Sequence, residues 1–123
     1  VSIAGHGNAD DELDKYLRKF LGAGIDIYFN GHDHNKQIVE VKIGKRKIPV
    51  VTCGTGGKVY DDELNFSNIE KGSKLVWHAE TLGFGTVFCD KKQLRLEMFD
   101  ENNKLETEYI IGENSKTKRK SRK

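Results

Sequence analysis

The sequence lacks any long apolar run, since no stretch approaches the roughly 18 apolar residues that a membrane-spanning helix needs. It contains only two cysteines, Cys53 and Cys89, and these do not form a Cys-x-x-Cys pair. Both lie in predicted strands, which favours buried free thiols, because cysteine is among the most buried residue types. A disulfide between them stays open as the alternative, and neither state fixes the redox compartment.

A net excess of positive charge is absent outside the end of the chain. The formal net charge is +2, but residues 115–123 hold six Lys or Arg and no acid. The remainder has 15 basic against 19 acidic residues, a net charge of about −4. This distribution excludes a uniformly basic surface for nucleic acid. For the basic tail, solvated disorder is the favoured interpretation, and weak contact with an anionic surface is the alternative.

Length and composition indicate one polar, folded domain. The 123 residues suffice for one ordinary domain, with 36% hydrophobic and 33% charged residues. The chain begins with Val1, so we expect a processed product or a fragment that lacks an N-terminal part. A signal peptide would then lie upstream. We predict a folded part over 1–112 and a basic, disordered tail over 113–123.

Periodicity predicts a helix followed by strands. Asn8 or Asp10 caps the helix, and Gly22 and Gly24 end it. The apolar residues at helical spacing are Leu13, Tyr16, Leu17, Phe20 and Leu21. Strands are predicted over 25–29, then as a hairpin over 37–43 and 48–53, and as a meander over 84–89, 93–99 and 104–111. The segment 54–75 predicts a long, acidic loop of the kind that often has a function.

The most informative segment is Gly31-His32-Asp33-His34-Asn35, where the first predicted strand ends. Loops that leave a buried strand often carry the working groups of α/β proteins, because the sheet fixes their position. Imidazole is a common ligand for zinc and iron, so His32 and His34 are candidate ligands for one or two metal ions. Gly31 would allow a sharp turn and a close approach to an ion. The alternative is two hydrogen-bonded histidines on one face of a strand edge.

The residues around this segment resemble a known family. Residues 28–35, Tyr-Phe-Asn-Gly-His-Asp-His-Asn, are similar to the last metal-binding motif of purple acid phosphatases, which are calcineurin-like metallophosphoesterases. The closest likeness is to the small, tartrate-resistant type. Residues 2–7 resemble a Ser-Ile-Ala-Glu-His-Gly segment of that type, with Gly5 in place of glutamate. Residues 50–57 and 83–87 resemble the later glycine-rich strands, and 58–80 is the weakest part of the likeness.

The resemblance implies the C-terminal portion of a four-layer α/β/β/α sandwich in an acid phosphatase that hydrolyses phosphate monoesters. It also implies a dinuclear metal centre of Fe(III) with Fe(II), Zn(II) or Mn(II). In that centre His32 would bind the divalent metal and His34 the ferric iron. His6 would hydrogen-bond the substrate phosphate and protonate the leaving alkoxide, the alternative being a capping or solvated loop histidine. His78 has no counterpart in the family, which favours a surface or packing role.

The family's remaining ligands have no counterpart in this sequence. We therefore expect the isolated chain to be inactive and its partner to be the N-terminal part of the same protein. The resemblance implies a secreted or lysosomal, endomembrane location. One alternative is an inactive binding or scaffold protein with the phosphatase fold, toward which Gly5 points. Another is a metallophosphoesterase that acts on diesters or nucleotides, against which residues 2–6 argue.

Overall fold

The computed structural model describes residues 11–59, 72–112 and 117–121. These residues form one helix and eight strands. In chain order the elements are α1 (Asp11–Gly22), β1 (Tyr28–Asn30), β2 (Lys36–Ile43), β3 (Arg46–Cys53), β4 (Lys74–Ala79), β5 (Gly83–Cys89), β6 (Gln93–Asp100), β7 (Leu105–Gly112) and β8 (Thr117–Ser121). Within this part of the chain, no helix has both the length and the apolar character needed to span a membrane.

The strands form two four-stranded sheets. The first has the order β1-β3-β2-β4, with β1 parallel to β3 and the other pairs antiparallel. The second has the order β5-β6-β7-β8, and each of its pairs is antiparallel. Because β1 pairs with β3 rather than with β2, the connection over 31–35 crosses the end of the first sheet instead of forming a hairpin.

The first sheet lies between the helix and the second sheet. The buried cluster on the helix side consists of Leu21, Val39, Val41, Ile48 and Val50. The buried cluster between the sheets consists of Ile38, Val51, Leu96, Met98 and Tyr109. Each such side chain stabilises the fold by about 1.5–3 kcal/mol through removal from water. Successive residues of β2 and β3 alternate between the two clusters, as the two-residue period of a strand requires.

The helix contacts the sheet over a narrower face than its sequence predicts. Leu21 is 5% exposed, whereas Tyr16 is 54% and Phe20 is 61% exposed. The Lys19 ammonium group lies 5.9 Å from the centre of the Tyr16 ring, a contact within α1 itself. The predicted apolar stripe is therefore wider than the surface that the described part of the first sheet covers.

The predicted fold class, one helix followed by mostly antiparallel strands, is confirmed. The hairpin and the meander occur within about two residues of their predicted bounds. The strand predicted over 25–29 is shorter and later, at 28–30, because its pairing with β3 begins only at Tyr28. The described residues form three layers, and the four-layer sandwich stays a prediction.

Two strands occur where none was predicted. β4 begins inside the predicted loop over 54–75 and adds to the outer side of β2. Residues 60–71 of that loop lie outside the described residues. β8 replaces the expected disorder over five residues of the basic tail, where it pairs with β7. Backbone hydrogen bonds along an open strand edge need no apolar side chain, so composition alone did not indicate this pairing.

Both cysteines are free, as predicted. Cys53 is half-buried and Cys89 is exposed, so the prediction of burial is wrong for Cys89. Its strand, β5, stands at the edge of the second sheet, which leaves it open to water. Burial raises the pKa of the Cys53 thiol, although the nearby charge of Lys36 and a hydrogen bond from the Gly85 backbone act in the opposite direction.

Candidate metal centre

The two histidines of the predicted metal motif lie on the loop over 31–35, which we call the histidine loop. Because β1 and β3 are parallel, this loop leaves the sheet where the carboxyl ends of both strands meet. Ligand sites of α/β proteins commonly lie at such an edge. His32 is exposed and His34 is half-buried. The structure thus brings both predicted ligands onto one loop at one end of the first sheet.

His32 adopts a left-handed backbone conformation, with φ of 77°. This conformation costs a residue with a side chain roughly 1–2 kcal/mol, and such strain is concentrated at functional sites. The sequence analysis assigned the sharp turn to Gly31. That assignment is wrong, because the left-handed residue is His32 and a Cβ at Gly31 would meet open space.

The histidine loop is fixed against the end of β3. The Gly54 backbone N–H donates a hydrogen bond to the Asn35 carbonyl at 3.0 Å. A Cβ at position 54 would overlap the backbone carbonyl of Asp33, so only glycine permits this approach. The carbonyl of Thr55 then accepts a hydrogen bond from the Gly83 N–H at 3.1 Å. The second sheet therefore begins at the same end as the loop.

A row of polar side chains crosses the first sheet beside the histidine loop. Its members are register partners on four adjacent strands: Asn30, Thr52, Gln37 and His78. The Thr52 hydroxyl donates a hydrogen bond to Asn30 Oδ1 at 2.6 Å, and the Gln37 amide donates to Asn35 Oδ1 at 3.4 Å. The next row of the same face is apolar and packs toward α1. The polar row was not predicted, since it depends on strand register.

Two buried polar atoms at this end have no hydrogen-bond partner within the described part of the chain. They are Nδ2 of Asn35 and Oγ1 of Thr55, in residues that are 2% and 0% exposed. Leaving a buried polar atom without a partner costs about 1–3 kcal/mol. Such atoms fit a place where a further polar group is bound.

Lys36, the first residue after the histidine loop, is completely buried. Its ammonium group is ion-paired with the carboxylate of Glu106 and donates a hydrogen bond to the Phe99 carbonyl at 3.0 Å. Glu106 also accepts a hydrogen bond from the Thr81 hydroxyl at 2.6 Å. These contacts join the two sheets directly beside the loop. Local sequence patterns do not predict these contacts, because Lys36 and Glu106 are 70 residues apart.

Among the described residues the two imidazoles of the histidine loop are candidate metal ligands, and they do not complete a metal site. This part of the chain contains no group of three or more His, Cys, Asp or Glu that could hold an ion. The imidazoles of His32 and His34 are suitable donors for zinc and iron, and the buried polar atoms of Asn35 and Thr55 fit a polar ligand nearby. A dinuclear centre would need further ligands. His6, predicted to contact the substrate phosphate, lies outside the described residues.

His78 is placed by β4 at the far end of the polar row. Its side chain is 32% exposed, and its Nδ1 lies 2.7 Å from Glu80 Oε1. Glu80 is itself 39% exposed, so water weakens the interaction between the two groups. This half-exposed position agrees with the surface or packing role predicted for His78.

The described residues thus form a layered α/β protein with a two-histidine loop at the carboxyl end of a parallel strand pair. No family model matches the sequence. The chain is similar to purple acid phosphatase 3 of Arabidopsis thaliana, with 28% identity over 102 residues, which are 81% of this chain and 26% of that protein. It is also similar to purple acid phosphatase 4 of the same plant, with 29% identity over 96 residues, which are 77% of this chain and 26% of that protein.

These relatives confirm the resemblance to purple acid phosphatases that the sequence motifs indicated. The chain spans about a quarter of the length of the curated relatives it matches. Their names do not distinguish the small, tartrate-resistant type, so that subtype stays a prediction.

Proposed function

We propose that this chain is part of a metal-dependent acid phosphatase that hydrolyses phosphate monoesters. The observation that carries the proposal is the histidine loop, which presents two imidazoles beside buried polar atoms that lack partners in the described part of the chain. The similarity to two purple acid phosphatases supports it. The same resemblance supports a secreted or endomembrane location.

In this proposal His32 holds the divalent metal and His34 the ferric iron of a dinuclear centre. Such a pair of ions, when bound, lowers the pKa of a bound water and stabilises charge on a phosphate group. The chain itself contributes the position of the histidine loop. Gly54 fixes the loop against β3, and His32 adopts the left-handed backbone conformation within the loop. His6 is the proposed donor of a proton to the leaving alkoxide.

The remaining ligands are proposed to come from the N-terminal part of the same protein. Exposed apolar side chains on β1 and β5 support this partner, namely Phe29 and Val87, which are 46% and 49% exposed. Phe29 and Val87 line one groove that opens between the two sheets. Apolar groups of this size rarely stay exposed together in a finished domain. A preceding segment that covered this side would bury them and bring its ligands to the adjacent histidine loop.

The test uses the complete protein that contains this sequence, with His32→Ala and His34→Ala variants. Lys15→Ala, on the exposed side of α1, is the control. Metal content and hydrolysis of p-nitrophenyl phosphate are measured for each. We expect each histidine variant to lose bound metal and at least about a hundredfold in activity, by analogy with the 10–100-fold cost of removing even supporting residues of a metal site. The control should keep both.

Three outcomes contradict the proposal or a part of it. Full metal content and activity in His34→Ala would show that the histidine loop does not bind the ions. A complete protein that binds a ligand protein but neither metal nor substrate would favour the inactive scaffold alternative. Phosphatase activity of the isolated 123-residue chain, abolished by His34→Ala, would contradict the need for an N-terminal part.

A further inference from the structure

A cavity of about 650 Å³ lies at the end of the two sheets opposite the histidine loop. It is formed where the turn between β2 and β3 approaches the turn between β5 and β6. β2 has eight residues, which at about 3.3 Å each place this end roughly 25 Å from the loop. We call it the basic cavity because five cationic side chains line it: Lys45, Arg46, Lys47, Lys91 and Lys92.

Among the described residues, the four lysines have no partner that would neutralise them. In the part of the chain that the structure describes, none of their ammonium groups makes an ion pair or a hydrogen bond. Arg46 differs, since it donates to the Ile25 carbonyl at 2.9 Å and lies 3.5 Å from the Asp26 carboxylate. The basic cavity therefore presents four lysine ammonium groups that have no ion-pair partner among the described residues.

The two acids that line the cavity lower the formal charge of its lining to +3, since five cations face two carboxylates. Asp26 lies beside Arg46, and Asp90 is engaged in its own turn. Its Oδ1 accepts hydrogen bonds from the backbone N–H groups of Lys92 and Gln93, at 2.7 and 2.8 Å. These bonds hold the pKa of the Asp90 carboxyl below its usual value. Outside the basic tail the chain carries a net charge of about −4, so the positive charge here is concentrated locally.

The lining also indicates what kind of anion fits. Lysine binds phosphate as a compact point charge and can serve several phosphate groups without fixed geometry. None of the described residues that line the cavity is aromatic, so they offer no surface on which nucleic-acid bases would stack. Its volume lies in the range of 300–1,000 Å³ that is typical of small-molecule sites. Pro49, Leu94 and Ile111 give it a small apolar floor.

We propose that the basic cavity binds a small anion that carries several phosphate groups, either free in solution or as the headgroup of a lipid. This site is separate from the histidine loop, and the inference does not rest on the proposed phosphatase function.

The test measures binding of two probes to the complete protein. Inositol hexakisphosphate, followed by calorimetry, represents the free anion. Phosphatidylcholine vesicles with a minor fraction of phosphatidylinositol bisphosphate, against phosphatidylcholine alone, represent the lipid. The variant is Lys91→Gln with Lys92→Gln, and the control is Lys15→Gln with Lys104→Gln, which removes the same charge from exposed positions outside the cavity. Each lysine near clustered phosphates is worth about fivefold in affinity, so we expect a loss of roughly 20-fold in the variant and much less in the control.

A His32→Ala, His34→Ala protein separates this site from the proposed active site, because it should bind either probe as the wild type does. Equal weakening by the cavity variant and the control would overturn the proposal, as would loss of binding in the histidine variant alone. If probe binding is lost only when the lysines of 113–123 are neutralised, the basic tail is the binding site and the proposal is overturned as well. If the protein binds inositol hexakisphosphate but not the vesicles, the result supports a free anion as the ligand. If it binds both probes, the result supports a lipid headgroup.

Discussion

The ammonium group of Lys36 and the carboxylate of Glu106 form an ion pair that joins β2 to β7 across the space between the two sheets. Lys36 is 0% and Glu106 is 16% exposed, so water screens the pair poorly. A Cβ at Gly83 would lie 2.6 Å from the same ammonium nitrogen, so the glycine leaves the space that this nitrogen occupies. The pair stands one residue beyond the histidine loop and fixes the start of β2.

We expect Lys36→Met to destabilise the protein by about 3–5 kcal/mol, because it leaves the Glu106 carboxylate partly buried without its partner. The double variant Lys36→Met with Glu106→Leu should recover much of this loss, since two apolar groups of similar size need no charge compensation. Urea denaturation of the two single variants and the double variant measures the coupling. If the losses of stability in the two single variants add up to the loss in the double variant, the two residues do not interact as described.

Gly54→Ala should destabilise the protein by about 1–3 kcal/mol or more, because the new Cβ would overlap the Asp33 carbonyl. Gly56→Ala is the matched control, since a Cβ there meets nothing within 4 Å. Thermal unfolding gives the stability, and metal affinity of the complete protein shows whether the histidine loop has moved. Equal stability of the two variants would contradict the close approach of β3 to the loop.

Substitutions at His32 test the strained backbone conformation separately from the role of the imidazole as a metal ligand. We expect His32→Val to cost roughly 1–2 kcal/mol more than His32→Gly, because a β-branched residue is poorly suited to φ of 77° and glycine is not restricted there. Both variants lack the imidazole, so metal binding affects them alike. Denaturation in the presence of a chelator makes the comparison. A valine variant as stable as the glycine variant would show that the loop relaxes to an ordinary conformation.

The two thiols should differ in reactivity and in their response to pH. Cys89 is exposed and should be alkylated first, whereas burial raises the pKa of Cys53 and keeps it as the less reactive thiol. Since the folded state favours the neutral thiol, the stability linked to Cys53 is present at neutral pH and is lost as the pH rises through its raised pKa. Mass spectrometry after timed alkylation checks the order. Denaturation of the wild type and Cys53→Ala at alkaline pH checks the sign.

Local patterns predicted the parts of the fold that depend on nearby residues. The alternation of apolar residues over 37–43 and 48–53, with a polar turn between them, was enough for the β2–β3 hairpin. The same holds for the meander of the second sheet. β4 was missed because it pairs with β2 from a distant position and begins in a segment with loop composition.

The candidate site, like the fold, was predictable from the sequence only where it depends on neighbouring residues. The two histidines were visible because a motif places them next to each other at a strand end. The polar row from Asn30 to His78 was not visible, since its members meet only when four strands take one register. The left-handed backbone of His32 was assigned to the neighbouring glycine, because sequence favours glycine wherever a sharp turn is needed.

The histidine loop is attached very unequally to its sheet. On one side, β1 is held by three residue pairs with β3, and on the other, β2 is held by eight pairs with the same strand. Short strands with few buried contacts open locally at a lower free energy than the whole domain. The loop can therefore open by release of β1 while the hairpin stays folded, and the affinity for any ion bound there includes the free energy of closing it.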